Sequence, residues 1–303
     1  MKNKLPVILS VDTGVDDAVA IAMAFASKNL DIKLIVCEHG NASLENVTKN
    51  TLGILELIDA SGVQVVLGTL PSEKRQKQIY NAHGNNGLGG YILDSNNRTY
   101  SMRPAEDLIF DVANSNEDVC YLNLGPSTTL ASAINKYPEL VGKIKKIVFM
   151  GGSINERLDT QNPYAEYNVA SDPESAETVL NSGISVLMVP TEIGRKAFLD
   201  YYDIFKTKTM NRTGDVFEKI FRNYRHRAVK NGVATCDSTA LFAYSKPEIF
   251  TLKPVYGFVK YFDNIDTGVC LFDFNHKPNM EVVTDVDIKQ FKKHYFKLLA
   301  KLP

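Results

Sequence analysis

The chain carries almost no net charge and has no long apolar segment. Its 34 basic and 35 acidic residues give a formal net charge of −1. They are interspersed, which argues against a nucleic-acid or anionic-membrane partner and favours a small-molecule ligand. Lys2 and Lys4 precede only a short apolar run that aspartates interrupt. The sequence therefore predicts neither a signal peptide nor a membrane span, and it favours a cytoplasmic location.

Cysteine is also scarce. The four cysteines lie far apart, at positions 37, 120, 236 and 270, and none belongs to a Cys-x-x-Cys pair. This spacing argues against a zinc site and against a compact disulfide framework. A reducing compartment fits it best.

Short β-branched runs alternate with helical patterns, which predicts an α/β fold with a mostly parallel central sheet covered by helices on both faces. Residues 1–303 are expected to form a single domain, because neither repeats nor linkers divide the chain. Strands are predicted near residues 7–11, 33–37, 63–67, 119–123, 145–150 and 185–189, and helices near 16–27, 44–61, 105–115, 127–136 and 173–182. Residues 255–262 and 268–274 predict a small edge hairpin, and residues 286–301 predict a closing amphipathic helix.

Three aspartates follow the first predicted strand, in the segment Ser10-Val11-Asp12-Thr13-Gly14-Val15-Asp16-Asp17. Carboxylates this close repel one another when shielded from water, so a bound cation is the simplest reason for the cluster. Oxygen ligands suit a hard ion such as Ca²⁺ or Mg²⁺. The alternative is that Asp16 and Asp17 only open a helix, where the macrodipole favours negative charge.

The same segment resembles the signature of the nucleoside hydrolase family of the inosine-uridine-preferring type, Asp-x-Asp-Pro-Gly-x-Asp-Asp. Ser10 stands in place of the first Asp of that signature and Thr13 in place of its Pro. Further segments similar to the family's follow in order: His83-Gly84-x-x-Gly87-Leu88-Gly89, Leu124-Gly125-Pro126, Met150-Gly151-Gly152, Ala165-Glu166-Tyr167-Asn168, Asp172-Pro173-Glu174 and Cys236-Asp237. The resemblance implies a nucleoside hydrolase-like fold and a homodimer or homotetramer.

The resemblance also implies a Ca²⁺ site. Asp12, Asp17 and Asp237 match side-chain ligands of the family, and Leu124 matches a ligand that uses its backbone carbonyl. Water and the 2′- and 3′-hydroxyls of a ribose would complete the shell. Such a site agrees with the rule that ligands bind outside the carboxyl ends of parallel strands.

Substrate-binding residues are implied in the same way. Asp16 and Asn41 are similar to residues that hydrogen-bond the ribose hydroxyls, and Glu166 and Asn168 to residues that hold the 3′ and 5′ side of the sugar. His83 matches a pocket histidine. From the residue types alone, each of these side chains also fits an ordinary turn, surface or packing role.

The implied reaction is hydrolysis of the N-glycosidic bond of ribonucleosides to ribose and free base, with a Ca²⁺-bound water as nucleophile. Its transition state resembles an oxocarbenium ion, which nearby carboxylates stabilise. Asp12 matches the base that takes the proton of this water. Cys236 occupies the position where well-known members have His as proton donor to the leaving base, and some members have Cys there.

Other residues complete the expected pocket. Thr160 stands where many family members carry an Asn that contacts the 5′-hydroxyl, and Asn162 lies close by in the same loop. Tyr224 is predicted to line the base pocket, as are Tyr164 and His226. Aromatic side chains of this kind also fit core or rim packing.

Two other functions compete with this interpretation. Ser10, Thr160 and Cys236 together would suit a catalytically weak or silent relative that binds a nucleoside or sugar as a sensor. A phosphatase of the haloacid dehalogenase type also places an Asp-x-Asp at a strand end. That mechanism needs the first Asp as its nucleophile, and Ser10 holds that place here.

Overall fold

A nine-stranded sheet lies at the centre of the computed structural model, which describes residues 4–76, 81–95, 97–154, 165–224, 231–262 and 265–303. The strands of this sheet and of a separate two-stranded pair are β1 (Leu5–Val11), β2 (Leu30–Cys37), β3 (Gln64–Leu67), β4 (Val119–Asn123), β5 (Ile144–Met150), β6 (Val186–Val189), β7 (Leu199–Asp200), β8 (Gly232–Val233), β9 (Phe250–Phe262), β10 (Ile265–Asp273) and β11 (Met280–Val286). The pair consists of β7 and β8.

Helices connect most of these strands. They are α1 (Val15–Ala26), α2 (Leu44–Leu57), α3 (Glu73–Gln76), α4 (Ala105–Ser115), α5 (Thr128–Lys136), α6 (Tyr167–Ser171), α7 (Pro173–Leu180), α8 (Thr191–Lys196), α9 (Tyr201–Met210), α10 (Arg212–Phe221), α11 (Cys236–Ser245) and α12 (Ile288–Leu299). Short 3₁₀ turns span Asn81–His83, Pro138–Gly142 and Pro247–Ile249. Within the described residues, no helix is long and apolar enough to cross a membrane.

The order of strands in the sheet is β3-β2-β1-β4-β5-β6-β11-β9-β10. All pairings from β3 to β11 are parallel, and β9 pairs antiparallel with both β11 and β10. The predicted mostly parallel sheet and the predicted edge hairpin, formed by β9 and β10, are therefore confirmed. Helices that begin after parallel strands all start at the same edge, which gathers their first turns around one rim.

Both faces of the sheet are covered, as the sequence predicts. Val7, Leu9 and Val11 of β1 pack into a cluster with residues of α1, α2, α11 and α12. Ile8 faces the opposite way, into a cluster with residues of α4, α5 and α7. Because side chains alternate along a strand, a strand buried on both faces must be apolar at nearly every position. The sequence of β1 has this pattern up to Ser10.

At the C-terminal end the predicted closing helix is confirmed over Ile288–Leu299, but the strand before it was missed. The predicted helix of residues 286–301 begins only at Ile288, because the Asp287 side chain caps it by accepting from the Gln290 N–H at 3.0 Å. Val286 is instead the last residue of β11, a strand that the sequence pattern did not predict. Strand β11 lies between β6 and β9 and extends the parallel part of the sheet.

Candidate active site

The order of strands reverses direction around β1, which has β2 on one side and β4 on the other. In open parallel sheets such a reversal opens a crevice outside the carboxyl ends of the strands, where ligands bind. Ser10 of β1 lies opposite Asn123 of β4, and the Leu124 N–H donates to the Ser10 carbonyl at 2.9 Å. Residues that follow these strands therefore meet at this crevice.

Four aspartates converge there. Asp12 follows β1, Asp16 and Asp17 lie in the first turn of α1, and Asp237 lies in the first turn of α11, which packs against α1. All four are buried, with exposed fractions between 0% and 7%. A helix N-terminus favours carboxylates in its first turn, but this does not account for the buried Asp12, which lies before α1 and interacts electrostatically with Asp17 and Asp16.

The carboxylate geometry fits a hard cation. One oxygen from each of Asp16, Asp17 and Asp237 lies within 4.8 Å of the other two. The Oδ1 atoms of Asp12 and Asp17 are buried and have no hydrogen-bond partner among the described residues. Buried polar atoms are nearly always paired, so these two oxygens point to a missing positive partner. A donor set made of oxygen alone suits Ca²⁺ or Mg²⁺.

The electrostatics of the cluster support the same conclusion. Burial, reinforced by the Asp17 carboxylate, raises the pKa of Asp16 to about 8. Burial raises the pKa of Asp17 to about 6. The pKa values of Asp12 and Asp237 are raised well above their usual range, again first by burial and then by neighbouring aspartates. Without a cation, this site disfavours the ionised carboxylates that its geometry brings together.

The loop after β2 fixes two of these carboxylates. The Asn41 backbone N–H donates to Asp12 Oδ2 at 2.8 Å, and its side-chain amide donates to Asp17 Oδ2 at 3.2 Å. Gly40 allows this close approach, since a Cβ atom at that position would lie 2.1 Å from Asp12 Oδ2. Asn41 thus lies beside two of the predicted metal ligands, Asp12 and Asp17, where the sequence interpretation places a ribose contact.

His83 closes another side of the site. Its Nδ1 accepts from the Val15 N–H at 3.0 Å and lies 3.8 Å from Asp16 Oδ1. Since Nδ1 is an acceptor, the neutral ring carries its proton on Nε2. The ring centroids of His83 and Tyr224 are 4.8 Å apart. The loop that contains His83 therefore contacts the first turn of α1.

Glu166 and Asn168 contact the residues that follow β5 and β4. Glu166 caps α6, and its oxygens accept backbone N–H groups of Gly152, Asn168 and Val169 at 3.1–3.2 Å. Burial raises its pKa to about 7. The Asn168 side chain donates to the Leu124 carbonyl at 2.7 Å. This carbonyl, a predicted metal ligand, has a second lone pair for a further partner.

Cys236 begins α11, directly before Asp237. It is buried, and burial followed by the Asp16 carboxylate raises the pKa of its thiol. The thiol is therefore neutral at ordinary pH and retains its proton. Gly194 makes room for it, since a Cβ atom there would lie 2.6 Å from Cys236 Sγ.

Some predicted site residues lie outside the part of the chain that the structure describes, and two described residues were missed. Asn162, together with Thr160, Tyr164 and His226, lies outside the described residues. The sequence interpretation missed Thr191, whose hydroxyl lies 3.9 Å from Cys236 Sγ, and the role of Tyr167, whose hydroxyl donates to the Gly40 carbonyl at 2.8 Å. In the sequence, the one indication of a role for Tyr167 is its position next to Glu166 in the segment Ala165-Glu166-Tyr167-Asn168.

Comparison with known proteins gives a consistent result along the whole chain. Residues 7–293 match the sequence profile of the family described as inosine-uridine preferring nucleoside hydrolase. The non-specific ribonucleoside hydrolase RihC of Klebsiella pneumoniae is 30% identical, over 99% of this chain and 100% of its own length. RihC of an Escherichia coli strain is 32% identical, over 98% of this chain and 99% of its own.

Solved structures agree with the sequence comparison. The purine-preferring ribonucleoside hydrolase from Gardnerella vaginalis superposes with a TM-score of 0.89 at 26% identity, covering 97% of this chain and 98% of its own. The plant nucleoside hydrolase PpNRh1 shares the fold, with a TM-score of 0.88 at 24% identity over 98% of this chain and 99% of its own. The predicted single-domain α/β fold class is thereby confirmed.

Proposed function

Because this chain belongs to the inosine-uridine preferring nucleoside hydrolase family, we propose that it hydrolyses the N-glycosidic bond of ribonucleosides to ribose and free base, with Ca²⁺ as its metal. The observation that carries the proposal is the cluster of four buried aspartates, two of whose carboxylate oxygens have no hydrogen-bond partner among the described residues. A hard cation would satisfy those oxygens, and a site of dense negative charge suits a reaction that develops positive charge on a sugar.

Asp12, Asp17, Asp237 and the carbonyl of Leu124 would hold the metal, with Asp16 next to it. When bound, Ca²⁺ would orient the ribose 2′- and 3′-hydroxyls and increase the acidity of a water molecule. Ca²⁺ is a weaker acid than Zn²⁺, so a protein base is still needed. Asp12 is the candidate for that base, because its Oδ1 is free of hydrogen bonds to the described residues.

The other residues would hold the sugar and release the base. Asp16 and Asn41 would hydrogen-bond the ribose hydroxyls. Glu166 and Asn168, held in place by the contacts described above, would hold the 3′ and 5′ side of the sugar. Fixing the anomeric carbon beside the attacking water contributes several kcal/mol by proximity alone. Cys236, with its proton retained, would assist departure of the base.

The test is release of reducing sugar from a panel of ribonucleosides that includes uridine and inosine, in Ca²⁺ buffer and after chelation. Hydrolysis that requires the metal supports the proposal. Matching 2′-deoxyribonucleosides should react far more slowly, because they lack a hydroxyl that the metal would bind. Nucleoside binding without sugar release would instead favour a sensor, the alternative that Ser10 suggests.

The resemblance to the family also leads us to propose a cytoplasmic location and a homodimer or homotetramer. Light scattering coupled to gel filtration tests the second proposal directly. A monomer over the concentration range of the activity assay would contradict it.

A further inference from the structure

A further buried carboxyl group lies beside Ser10 of β1, at the same end of the sheet as the aspartate cluster. Glu38 is the first residue after β2 and is fully buried. The Ser10 hydroxyl of β1 donates to its Oε1 at 3.0 Å, and the Thr129 hydroxyl donates to its Oε2 at 2.7 Å. The reaction proposed above makes no use of this group.

Glu38 connects four neighbouring parts of the rim. Its own backbone N–H donates to the Val11 carbonyl at 2.7 Å, directly before Asp12. Thr129 lies in the first turn of α5, which follows β4, and its hydroxyl accepts from the Thr69 N–H at 2.9 Å, just after β3. The carboxyl group therefore links the ends of β1, β2 and β3 to the start of α5.

Helix α5 has no cap of its own, because Ser127 makes no side-chain capping bond. The Thr129 hydroxyl in the first turn donates to Glu38 Oε2 at 2.7 Å. A carboxyl group from the end of another strand thus lies at the N-terminus of α5, where the helix dipole favours negative charge. Since α5 follows Leu124 within a few residues, this contact also bears on the position of the Leu124 carbonyl.

We infer that Glu38 is a positioning residue that supplies from β2 the carboxyl group which the family signature carries on β1, where this chain has Ser10. Together with the Ser10 hydroxyl it holds the strand ends that present Asp12, Asn41 and Leu124. The inference rests on the proposed function for the identity of the metal. The carboxyl group that is absent at Ser10 is then supplied by Glu38, so the site keeps a carboxyl group at this point.

The protonation state of Glu38 does not alter this linkage. Burial raises its pKa to about 8, although the donors from Thr129 and Ser10 oppose the rise. When ionised, the group accepts from both hydroxyls. When protonated, it donates to the Ser10 hydroxyl oxygen and still accepts from Thr129.

A double-mutant cycle on the metal-free protein tests this inference. Glu38→Leu removes the acceptor and leaves buried hydroxyls unpaired, so the melting temperature should fall by about 5 °C or more. Ser10→Asp alone places two buried carboxyl groups side by side and should also destabilise. In the Ser10→Asp background, however, Glu38→Leu should raise the melting temperature, because only one carboxyl group remains. Additive effects without this reversal would overturn the inference.

Ca²⁺ binding, measured by calorimetry well below the melting temperature, separates positioning from stability alone. Removing a group that supports metal ligands typically weakens metal binding by about 10–100-fold. Glu38→Leu should show such a loss, Glu38→Gln should lose less because it keeps an acceptor oxygen, and the double variant should recover most of the affinity. Unchanged Ca²⁺ affinity in Glu38→Leu would overturn the positioning role.

Glu106→Leu is the matched control, since Glu106 also accepts two hydroxyls, from Thr69 at 2.5 Å and Ser132 at 2.7 Å, and among the described residues its side chain has no hydrogen bond to β1 or β2. It should leave Ca²⁺ affinity unchanged. Melting and calorimetry use no nucleoside, so they judge Glu38 even if the wild type releases no sugar. Absence of sugar release would count against the proposed function only.

Discussion

Asp12 is held by one oxygen and free at the other. Its Oδ2 accepts from the Asn41 N–H at 2.8 Å, while its buried Oδ1 has no partner among the described residues. An oxygen fixed in place and left unpaired can bind a metal or accept a proton from water. Asp12→Asn keeps the shape but loses basicity, so turnover at saturating Ca²⁺ and nucleoside should fall by at least about 10²-fold.

The measurement is the rate of sugar release with both Ca²⁺ and nucleoside raised until the rate no longer increases. Asp111→Asn, at an exposed position that pairs with Arg103, serves as a control and should retain wild-type turnover. Near-normal turnover of Asp12→Asn under saturation would show that another group acts as the base.

Cys236 is a second residue whose environment suggests chemistry. Its thiol is buried next to Asp16, which raises the thiol pKa and keeps the proton in place. If this proton assists the leaving base, Cys236→Ala should slow natural nucleosides by roughly 10²-fold or more, within the range of general-acid catalysis. Ribosides with an activated leaving group such as nitrophenolate should react at nearly the wild-type rate.

The comparison of the two substrate types distinguishes proton donation by Cys236 from a packing role. An equal loss for both, or no loss for either, would assign Cys236 to packing and require another proton source. Thr191→Val is a useful companion, because it removes the Thr191 hydroxyl that lies 3.9 Å from the thiol and leaves the thiol in place. It should have a smaller effect than Cys236→Ala.

At the scale of elements, the sequence predicted the parallel strands well because both faces are buried, which leaves apolar runs bounded by turn residues. It failed where the signal was mixed. Strand β11 mixes apolar and polar residues without regular alternation and adjoins α12 through a single capping residue, Asp287. The pattern of a strand and that of a helix therefore ran together in the sequence.

The site shows the same limit. Motif residues such as Asp12 and Asp237 could be predicted, since their local patterns mark the ends of strands and the starts of helices. Contacts such as Glu38 with Ser10 and Thr129 could not, because they join residues 28 and 91 positions apart. Only the pairing of β1 with β2 and β4 brings those side chains together.

The loop after β2 offers a prediction at this scale. A Cβ atom at Gly40 would lie 2.1 Å from Asp12 Oδ2 and would have to displace that carboxylate. Gly40→Ala should therefore weaken Ca²⁺ binding by about 10-fold or more, since ligand geometry is disturbed. Calorimetric titration of the metal-free variant measures this. Gly142→Ala is the control, because its Cβ would meet nothing within 4 Å, and equal Ca²⁺ affinities would contradict the prediction.

For the whole molecule, the central cluster makes folding, pH and metal binding interdependent. Burial raises the pKa of Asp16 to about 8 and of Asp17 to about 6, from an ordinary value of 3.8. A carboxyl group whose pKa is higher in the folded than in the unfolded chain stabilises the fold at low pH. This contribution is lost as the pH rises through the folded pKa. The metal-free protein should therefore lose stability between about pH 4 and pH 8.

Ca²⁺ should oppose this loss, because it binds the ionised carboxylates of the folded chain and not those of the unfolded chain. At about 100 times its dissociation constant, a ligand of this kind adds roughly 2.7 kcal/mol of stability. For a chain of 303 residues we expect a rise in melting temperature of roughly 4 °C. Melting curves recorded from pH 5 to pH 9, with Ca²⁺ and with a chelator, should diverge as the pH increases. Coinciding curves across this range would exclude a Ca²⁺ site at the aspartate cluster.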